Sequence, residues 1–227
     1  MLESVGWYGD SKTQWLSIQD ELGIIRPELT EPMDEAVFGE GICWLNSEEF
    51  IEMTWQEDIA YILDRETLKP KRQFAMSSVW PGVKQGWGIT IDEENNLLYI
   101  SDGTAQITVA DATTLEQKSQ FTVKNASSQA IRGINELEFV DGFVWANVFG
   151  LNYMIKVDPA TGYITEAIDC QALYDAEMNY VRTANNNDMS GYDFGNNVFN
   201  GIAYNPETKD WYVTGKRWNF LFKIHLK

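Results

Sequence analysis

The sequence predicts an all-β chain folded as a five-bladed β-propeller. Three observations support this fold class: a strand–turn–strand unit occurs four times, every unit holds three short predicted strands, and a partial copy precedes the first unit. The four complete units open, in chain order, at Gly41, Gly88, Glu136 and Gly201. Repeats some forty to fifty residues long with several strands each are typical of propeller blades.

The first blade is expected to lack its first strand. In the partial unit at residues 2–25, Leu2–Gly6 resembles the second strand of the complete units and Gln14–Asp20 resembles the third. Residues 26–37 contain two prolines and several carboxylates, so this stretch is predicted to be an acidic connection to the second blade.

Each complete unit continues with two further predicted strands. The second strands are Ile51–Trp55, Tyr99–Gly103, Val144–Val148 and Tyr212–Lys216. The third strands are Ala60–Asp64, Ile107–Asp111, Met154–Asp158 and Leu221–His225. Apolar residues recur at every second position of these runs, as expected of half-buried strands. Asp-x-x-Thr turns follow three of the third strands, and their repetition favours a structural role.

The longest step between units contains an irregular segment, residues 171–197. Its first part, Gln171–Val181, is predicted to form a short helix, and a polar run follows at Thr183–Asp188. We interpret the segment as an insertion between blades, either a lid over one face or a surface loop without a role. The whole chain, residues 1–227, is expected to form a single propeller domain.

Composition excludes several functional classes. The formal charge is −17 and the sequence pI is near 4.3, which disfavours binding to nucleic acid or to anionic membranes. A single histidine, His225, argues against a catalytic histidine or a zinc cluster. Cys43 and Cys170 lack metal-binding or redox spacing; Cys43 is expected to be a small buried residue, and a disulfide between the two remains an alternative. No stretch of the sequence is long and apolar enough for a transmembrane helix, and no leader sequence is evident.

Polar and aromatic residues recur where the first two strands of the units begin and end. The motifs are Phe38-Gly-Glu-Gly-Ile42, Met53-Thr-Trp55, Gly86-Trp-Gly-Ile-Thr90, Ser101-Asp-Gly103, Asn135-Glu-Leu-Glu138, Trp145-Ala-Asn-Val148, Asn200-Gly-Ile-Ala-Tyr204 and Thr214-Gly-Lys-x-Trp218. In this order and over nearly the whole chain, they resemble the successive motifs of the plant- and bacterial-type glutaminyl cyclases. That family consists of five-bladed propellers that convert N-terminal glutamine of peptides to pyroglutamate and release ammonia without a catalytic metal.

The resemblance implies a set of site residues. Glu40 and Lys216 correspond to a charged catalytic pair, and Asn135 corresponds to a polar partner. The implied aromatic cage consists of Phe38, Trp55, Trp87 and Phe149. Two departures stand out: the family usually has Trp at the position of Phe149, and this chain lacks the family's Phe-Thr-Gln-Gly motif, whose glutamine points into the site.

Alternatives remain beside this interpretation. Taken singly, Glu40 fits a turn between two glycines, and Trp55 and Trp87 fit the core between blades. A catalytically inactive propeller that binds peptides or proteins is the main alternative function, and a calcium-dependent lactonase-like propeller is a third. No cofactor or metal is expected. Peptides or proteins with N-terminal Gln are the expected partners, and the protein is expected to be monomeric. Family relatives imply a secreted, periplasmic or secretory-pathway location.

Overall fold

The computed structural model describes residues 1–19 and 23–226, and these residues are mainly β-structure. The strands form five antiparallel sheets, which match the five expected blades. Backbone contacts divide the chain into two compact units, residues 1–102 with 107–120 and residues 103–106 with 121–227. No described helix is long and apolar enough to cross a membrane.

Sheet 1 has three strands, as expected for a blade without its first strand. Its strands are β1 (Leu2–Val5), β2 (Lys12–Gln19) and β3 (Ile24–Pro32). The predicted strand at Gln14 is thereby confirmed, although its last residue, Asp20, lies outside the described residues.

The prediction of a connection over residues 26–37 was wrong for its first part, because β3 occupies it. Pro27 has no N–H to donate, but β3 is an edge strand, where only one side of the backbone must pair. The register between β2 and β3 also shifts at Trp15 and Leu16, next to the Leu16–Pro27 pair. The prolines therefore mark an edge strand here, not a loop.

Sheets 2 and 3 have four strands each. Together with sheet 1 they make up the first unit, except for a few residues of sheet 3 that belong to the second unit. Sheet 2 consists of β4 (Gly39–Asn46), β5 (Glu49–Thr54), β6 (Ile59–Asp64) and β7 (Pro70–Ala75). A short helix, α1 (Met76–Val79), leads to sheet 3, which consists of β8 (Ile89–Asp92), β9 (Leu97–Ser101), β10 (Gln106–Asp111) and β11 (Gln117–Thr122).

Sheets 4 and 5 belong to the second unit, with a helix between them. Sheet 4 consists of β12 (Ile134–Val140), β13 (Phe143–Val148), β14 (Tyr153–Val157) and β15 (Ile164–Asp169). The helix is α2 (Gln171–Ala184), which confirms the helix predicted from Gln171 and extends it by three residues. Sheet 5 consists of β16 (Phe199–Asn205), β17 (Asp210–Gly215) and β18 (Phe222–Ile224).

Each unit has its own apolar core. In the first unit, Ile51 and Met53 of β5 pack with Ile89 and Ile100 of sheet 3, and all four are almost fully buried. The core of the second unit contains Trp145, Met154, Phe199 and Val213. The two cysteines form no disulfide; Cys170 is buried, whereas Cys43 is only partly buried, against the expectation.

One fully buried carboxyl group interrupts the apolar packing of the first unit. Glu52 lies in β5 and accepts a hydrogen bond from the Thr13 hydroxyl of sheet 1. Burial raises the pKa of Glu52 from its ordinary value of 4.5 to about 7, although the hydrogen bond from Thr13 opposes the shift. Folding therefore favours the protonated form of this side chain.

We predict that Glu52 makes stability depend on pH. Because its folded-state pKa lies above the unfolded value, its favourable contribution is fully present below pH 4.5 and is lost as the pH rises through about 7. The Glu52→Gln variant should match the parent near pH ~4 and be more stable by about 3 kcal/mol near pH ~8.

Urea unfolding of both proteins at these two pH values measures this difference. The exposed residue Glu66 supplies the matched control, because Glu66→Gln removes the same charge without removing a buried carboxyl group. A stability difference between parent and Glu52→Gln that does not change with pH would contradict the prediction.

Candidate functional site

In three sheets the first strand begins with a β-bulge at the same place. The register shifts occur between Gly39 and Ile42 in β4, between Ile134 and Leu137 in β12, and between Phe199 and Ile202 in β16. A bulge inserts an extra residue and redirects a side chain, and such irregularities are common beside active sites. The first residues within the three bulges are Glu40, Asn135 and Asn200.

The second strands end at corresponding places as well. One backbone N–H just beyond each strand donates to a carbonyl that precedes the bulge. These bonds run from Trp55 to Phe38 (2.9 Å), from Phe149 to Gly133 (2.7 Å) and from Lys216 to Val198 (2.9 Å). One predicted catalytic residue, Lys216, and two predicted cage residues, Trp55 and Phe149, thus occupy equivalent positions in different repeats.

In the first unit, the predicted aromatic residues contact one another. The ring of Phe38 lies edge-on to Trp55, with 5.5 Å between ring centroids, and Tyr8 lies edge-on to Phe38 at 5.3 Å. The indole N–H groups of Trp55 and Trp87 both donate to the side-chain oxygen of Gln85, at 2.9 and 3.0 Å. All three predicted cage residues of this unit therefore belong to one connected group.

Glu40 is half-buried and is held next to the same group through the backbone. The N–H of Gly41 donates to the carbonyl of Trp87 at 2.7 Å. A Cβ atom at position 41 would lie 2.5 Å from that carbonyl oxygen, so only glycine permits the approach. The glycine after Glu40 thus allows sheet 3 to approach the bulge that carries the predicted catalytic carboxylate.

Glu57 supports the other end of the aromatic group. Its carboxylate accepts a hydrogen bond from the Tyr8 hydroxyl at 2.7 Å and from the Phe38 N–H at 3.4 Å. The bond to Glu57 raises the pKa of Tyr8, because ionised Tyr8 could not donate it. Glu57 therefore holds both Tyr8 and Phe38 in place through hydrogen bonds to its carboxylate.

In the second unit, buried amides hold the bulges. The side chain of Asn147 is fully buried; its oxygen accepts the Glu136 N–H at 3.0 Å and its nitrogen donates to the Phe199 carbonyl at 3.1 Å. Glu136 follows Asn135, and Phe199 precedes Asn200. Asn147 therefore fixes the backbone beside Asn135 and beside Asn200, which are both buried.

The loop that begins at Lys216 is held by Trp218 and by α2. The indole ring of Trp218 covers Gly215, where an added Cβ would lie 2.2 Å from the ring, and its N–H donates to the Asn197 carbonyl at 3.3 Å. Glu177 of α2 is fully buried and accepts two hydrogen bonds from Asn219, at 3.0 Å from the backbone N–H and 2.7 Å from the amide. Tyr180 of α2 packs on Phe220.

This packing connects the 171–197 insertion to Asn219 and Phe220, shortly after Lys216. The contact is structural, and it does not test whether the insertion has a functional role. Whether the insertion also opens and closes as a lid stays a prediction.

Sequence reasoning did not assign functional roles to several residues that shape the site. These residues are Glu57, Gln85, Asn147, Glu177 and Asn200. Superposing the repeats could have identified Asn200, because Asn200-Gly-Ile202 matches Glu40-Gly-Ile42 in position. Asn147 lies within the motif Trp145-Ala-Asn-Val148, but its hydrogen bonds are evident only in the folded chain. The same holds for the hydrogen bonds of Glu57, Gln85 and Glu177.

No group of three or more His, Cys, Asp or Glu within residues 1–19 and 23–226 is placed to hold a metal ion. A surface depression of about 730 Å³ is lined by residues such as Pro81 and Lys118 and contains none of the predicted site residues. The candidate site is therefore defined by the repeat-equivalent side chains and not by the size of this depression.

Comparison with known proteins agrees with the predicted fold and family. The sequence profile of the family described as glutamine cyclotransferase matches residues 1–226. A glutaminyl-peptide cyclotransferase from Arabidopsis thaliana is 28% identical over 227 residues, which are 100% of this chain and 63% of the relative. The chain thus spans less than two thirds of that relative's length.

Solved structures are similar as well. The crystal structure of Myxococcus xanthus glutaminyl cyclase is 26% identical, with a TM-score of 0.78 over 96% of this chain and 82% of that one. A Bacteroides caccae protein of unknown function shares the fold alone, at 10% identity and a TM-score of 0.51 over 99% of this chain and 71% of that one. Together with the five sheets, the Myxococcus match confirms the predicted five-bladed β-propeller.

We predict that Glu177 stabilises the loop after Lys216. Glu177→Ala should lower the free energy of unfolding by roughly 2 kcal/mol, because two hydrogen bonds to a buried carboxylate are lost. Backbone amides from Lys216 to Phe220 should exchange with solvent faster, which hydrogen-exchange mass spectrometry measures. Asn179→Ala, at an exposed position of the same helix, is the control. Equal exchange in the two variants would show that Glu177 does not hold the loop.

Proposed function

Because the chain belongs to the glutamine cyclotransferase family, we propose that it is a glutaminyl-peptide cyclotransferase. It converts the N-terminal glutamine of peptides or proteins to pyroglutamate and releases ammonia. Similarity to the glutaminyl-peptide cyclotransferase of Arabidopsis and to the glutaminyl cyclase of Myxococcus supports this substrate class.

One observation carries the proposal. The charged and amide residues that the family resemblance singles out, Glu40, Asn135 and Lys216, lie at bulges or strand ends that correspond between repeats. An irregular backbone costs a hydrogen bond between strands. A residue that only ended a strand would not need such an irregularity. The shared irregularity is therefore better explained by a need to present these side chains.

The reaction forms a bond between the α-amine nitrogen and the δ-carbon of the glutamine side chain and breaks the bond from that carbon to the amide nitrogen. The α-amine must be neutral to attack, and the departing nitrogen must gain a proton to leave as ammonia. Glu40 is suited to hold the amine and accept its proton, since a half-buried carboxylate is an effective general base. The same proton can then pass to the leaving nitrogen, so protons balance.

Lys216 and Asn135 supply the donors for the negative charge that develops on the side-chain oxygen. An ammonium group stabilises an oxyanion strongly, and a buried amide adds a neutral donor. Asn135 is only 2% exposed, so little solvent screens its dipole.

The aromatic residues hold the substrate side chain in a folded conformation. Cyclisation needs the amine within reach of the carboxamide carbon, and such positioning contributes about 7–11 kcal/mol in favourable intramolecular reactions. Phe38, Trp55 and Trp87 provide apolar walls of this kind in the first unit, and the family resemblance assigns Phe149 the same role. Exclusion of water by these walls also disfavours hydrolysis of the side chain to glutamate.

A peptide-binding protein without catalytic activity is the second candidate. Retention of Glu40, Asn135 and Lys216 together favours the enzyme.

We predict that this chain converts a Gln-initiated peptide to its pyroglutamyl form, observed by mass spectrometry as loss of ammonia. Glu40→Gln and Lys216→Ala should each lower kcat by about 10²-fold or more, because each removes a proton-transfer or charge-stabilising group. The same peptide with N-terminal acetylated glutamine should not react, because its nitrogen is no longer nucleophilic.

Lys69→Ala, which removes an exposed lysine outside the site, is the charge-matched control for Lys216→Ala. Full turnover by both site variants would refute the roles of Glu40 and Lys216. Binding of the peptide without turnover by the folded parent would favour the binding protein.

A further inference from the structure

Gln85 is the residue that connects the two tryptophans of the first unit. Its side-chain oxygen accepts hydrogen bonds from the indole N–H of Trp55, which follows β5, and from that of Trp87, which precedes β8. The distances are 2.9 and 3.0 Å, so both bonds have ordinary lengths. An amide oxygen has two lone pairs and can accept both at once.

The backbone fixes where the Gln85 side chain starts. The N–H of the next residue, Gly86, is shared between the carbonyls of Thr54 and Trp55, at 3.1 Å each. A Cβ atom on Gly86 would lie 2.5 Å from the Thr54 oxygen, so this close approach requires glycine. The segment that carries Gln85 is therefore attached directly to the end of the strand that positions Trp55.

A second set of bonds fixes Trp87. Its N–H donates to the Ser101 carbonyl at 3.2 Å, and its carbonyl accepts the Gly41 N–H at 2.7 Å. Backbone bonds thus hold the main chain of both tryptophans, but they leave the rotation of each indole about its side-chain bonds undetermined. Among the described residues, Gln85 is the side chain shown to bond both indole N–H groups.

The two bonds also decide which part of each ring remains for a ligand. Because Gln85 satisfies both N–H groups, the indole edges have no donor left for a substrate carboxamide. The indole rings themselves are apolar, electron-rich surfaces. Such walls recognise a folded side chain by shape and contact, and they do not hold it by competing hydrogen bonds.

We propose that Gln85 is a positioning residue that fixes the orientation of the Trp55 and Trp87 rings and thereby sets the affinity for the glutaminyl end of the substrate. The proposal rests on the proposed cyclotransferase function. It assigns Gln85 no contact with the reacting atoms, so it acts on substrate binding more than on the chemical step.

Three substitutions separate the hydrogen bonds from the space that the side chain fills. Gln85→Met keeps the length but lacks the acceptor oxygen, and Gln85→Asn keeps the amide but withdraws it by one methylene. Gln85→Glu retains an acceptor for both indoles and is the conservative control. Met and Asn variants should raise KM for a Gln-initiated peptide about tenfold with little change in kcat, and the Glu variant should remain near the parent.

The indole N–H signals in proton–nitrogen NMR spectra provide a readout that does not require turnover. Trp55→Phe and Trp87→Phe identify the two signals among the nine tryptophans of the chain. In Gln85→Met and Gln85→Asn both signals should move upfield and exchange with water faster, because the hydrogen bonds are lost. Titration of the same peptide into these samples gives the dissociation constant.

The outcomes distinguish the two proposals. Weaker binding with shifted indole signals in Met and Asn variants, but not in the Glu variant, supports the role of Gln85 even when the parent does not turn the peptide over; only the cyclotransferase function then fails. Unchanged indole signals, or unchanged KM and binding in the Met and Asn variants, overturn the role of Gln85. A parent that neither binds nor converts the peptide overturns both.

Discussion

The β-bulge at the start of the first strand is the constraint on which the candidate site depends. An extra residue in β4, β12 and β16 breaks the regular ladder, and the freed backbone groups must find partners elsewhere. In the first unit the Gly41 N–H reaches the Trp87 carbonyl, and in the second the Glu136 N–H reaches the Asn147 side chain. A specific partner therefore stabilises each of these two bulges. The same hydrogen bond restricts the position of the side chain beside the bulge.

The candidate residues of the two units are held in place by different means. In the first, aromatic rings pack edge to face, and the polar side chains of Gln85 and Glu57 fix their N–H and O–H groups. In the second, buried hydrogen bonds from Asn147 and Glu177 hold the backbone. Buried polar networks are costly unless satisfied, and when they are satisfied they specify a single arrangement. Both devices restrict the positions that the candidate side chains can take.

The strong negative charge is partly explained by local structure. Asp64 and Asp111 accept hydrogen bonds from backbone N–H groups two and three residues later, and these bonds lower the pKa of both carboxyls. Asp158 accepts the Thr161 hydroxyl in the third copy of the turn. The repeated Asp-x-x-Thr sequence is thus a turn motif, as its repetition indicated, and part of the acidity serves the fold.

The sequence by itself determined the features that depend on neighbouring residues. The repeat, the alternating strands, the Asp-x-x-Thr turns and the start of α2 at Gln171 follow from residues close along the chain, and the motif order was sufficient to identify the family. The outer strands β7, β11 and β15 went unpredicted, because their polar, exposed residues show little apolar alternation. β3 was not predicted because it contains Pro27. Proline is acceptable in this strand only because β3 lies at a sheet edge. Tertiary structure alone decided that Gln85 joins two tryptophans and that Glu177 holds the loop after Lys216. Those bonds join residues that are far apart in sequence or meet only through a folded strand end, and no local pattern encodes them.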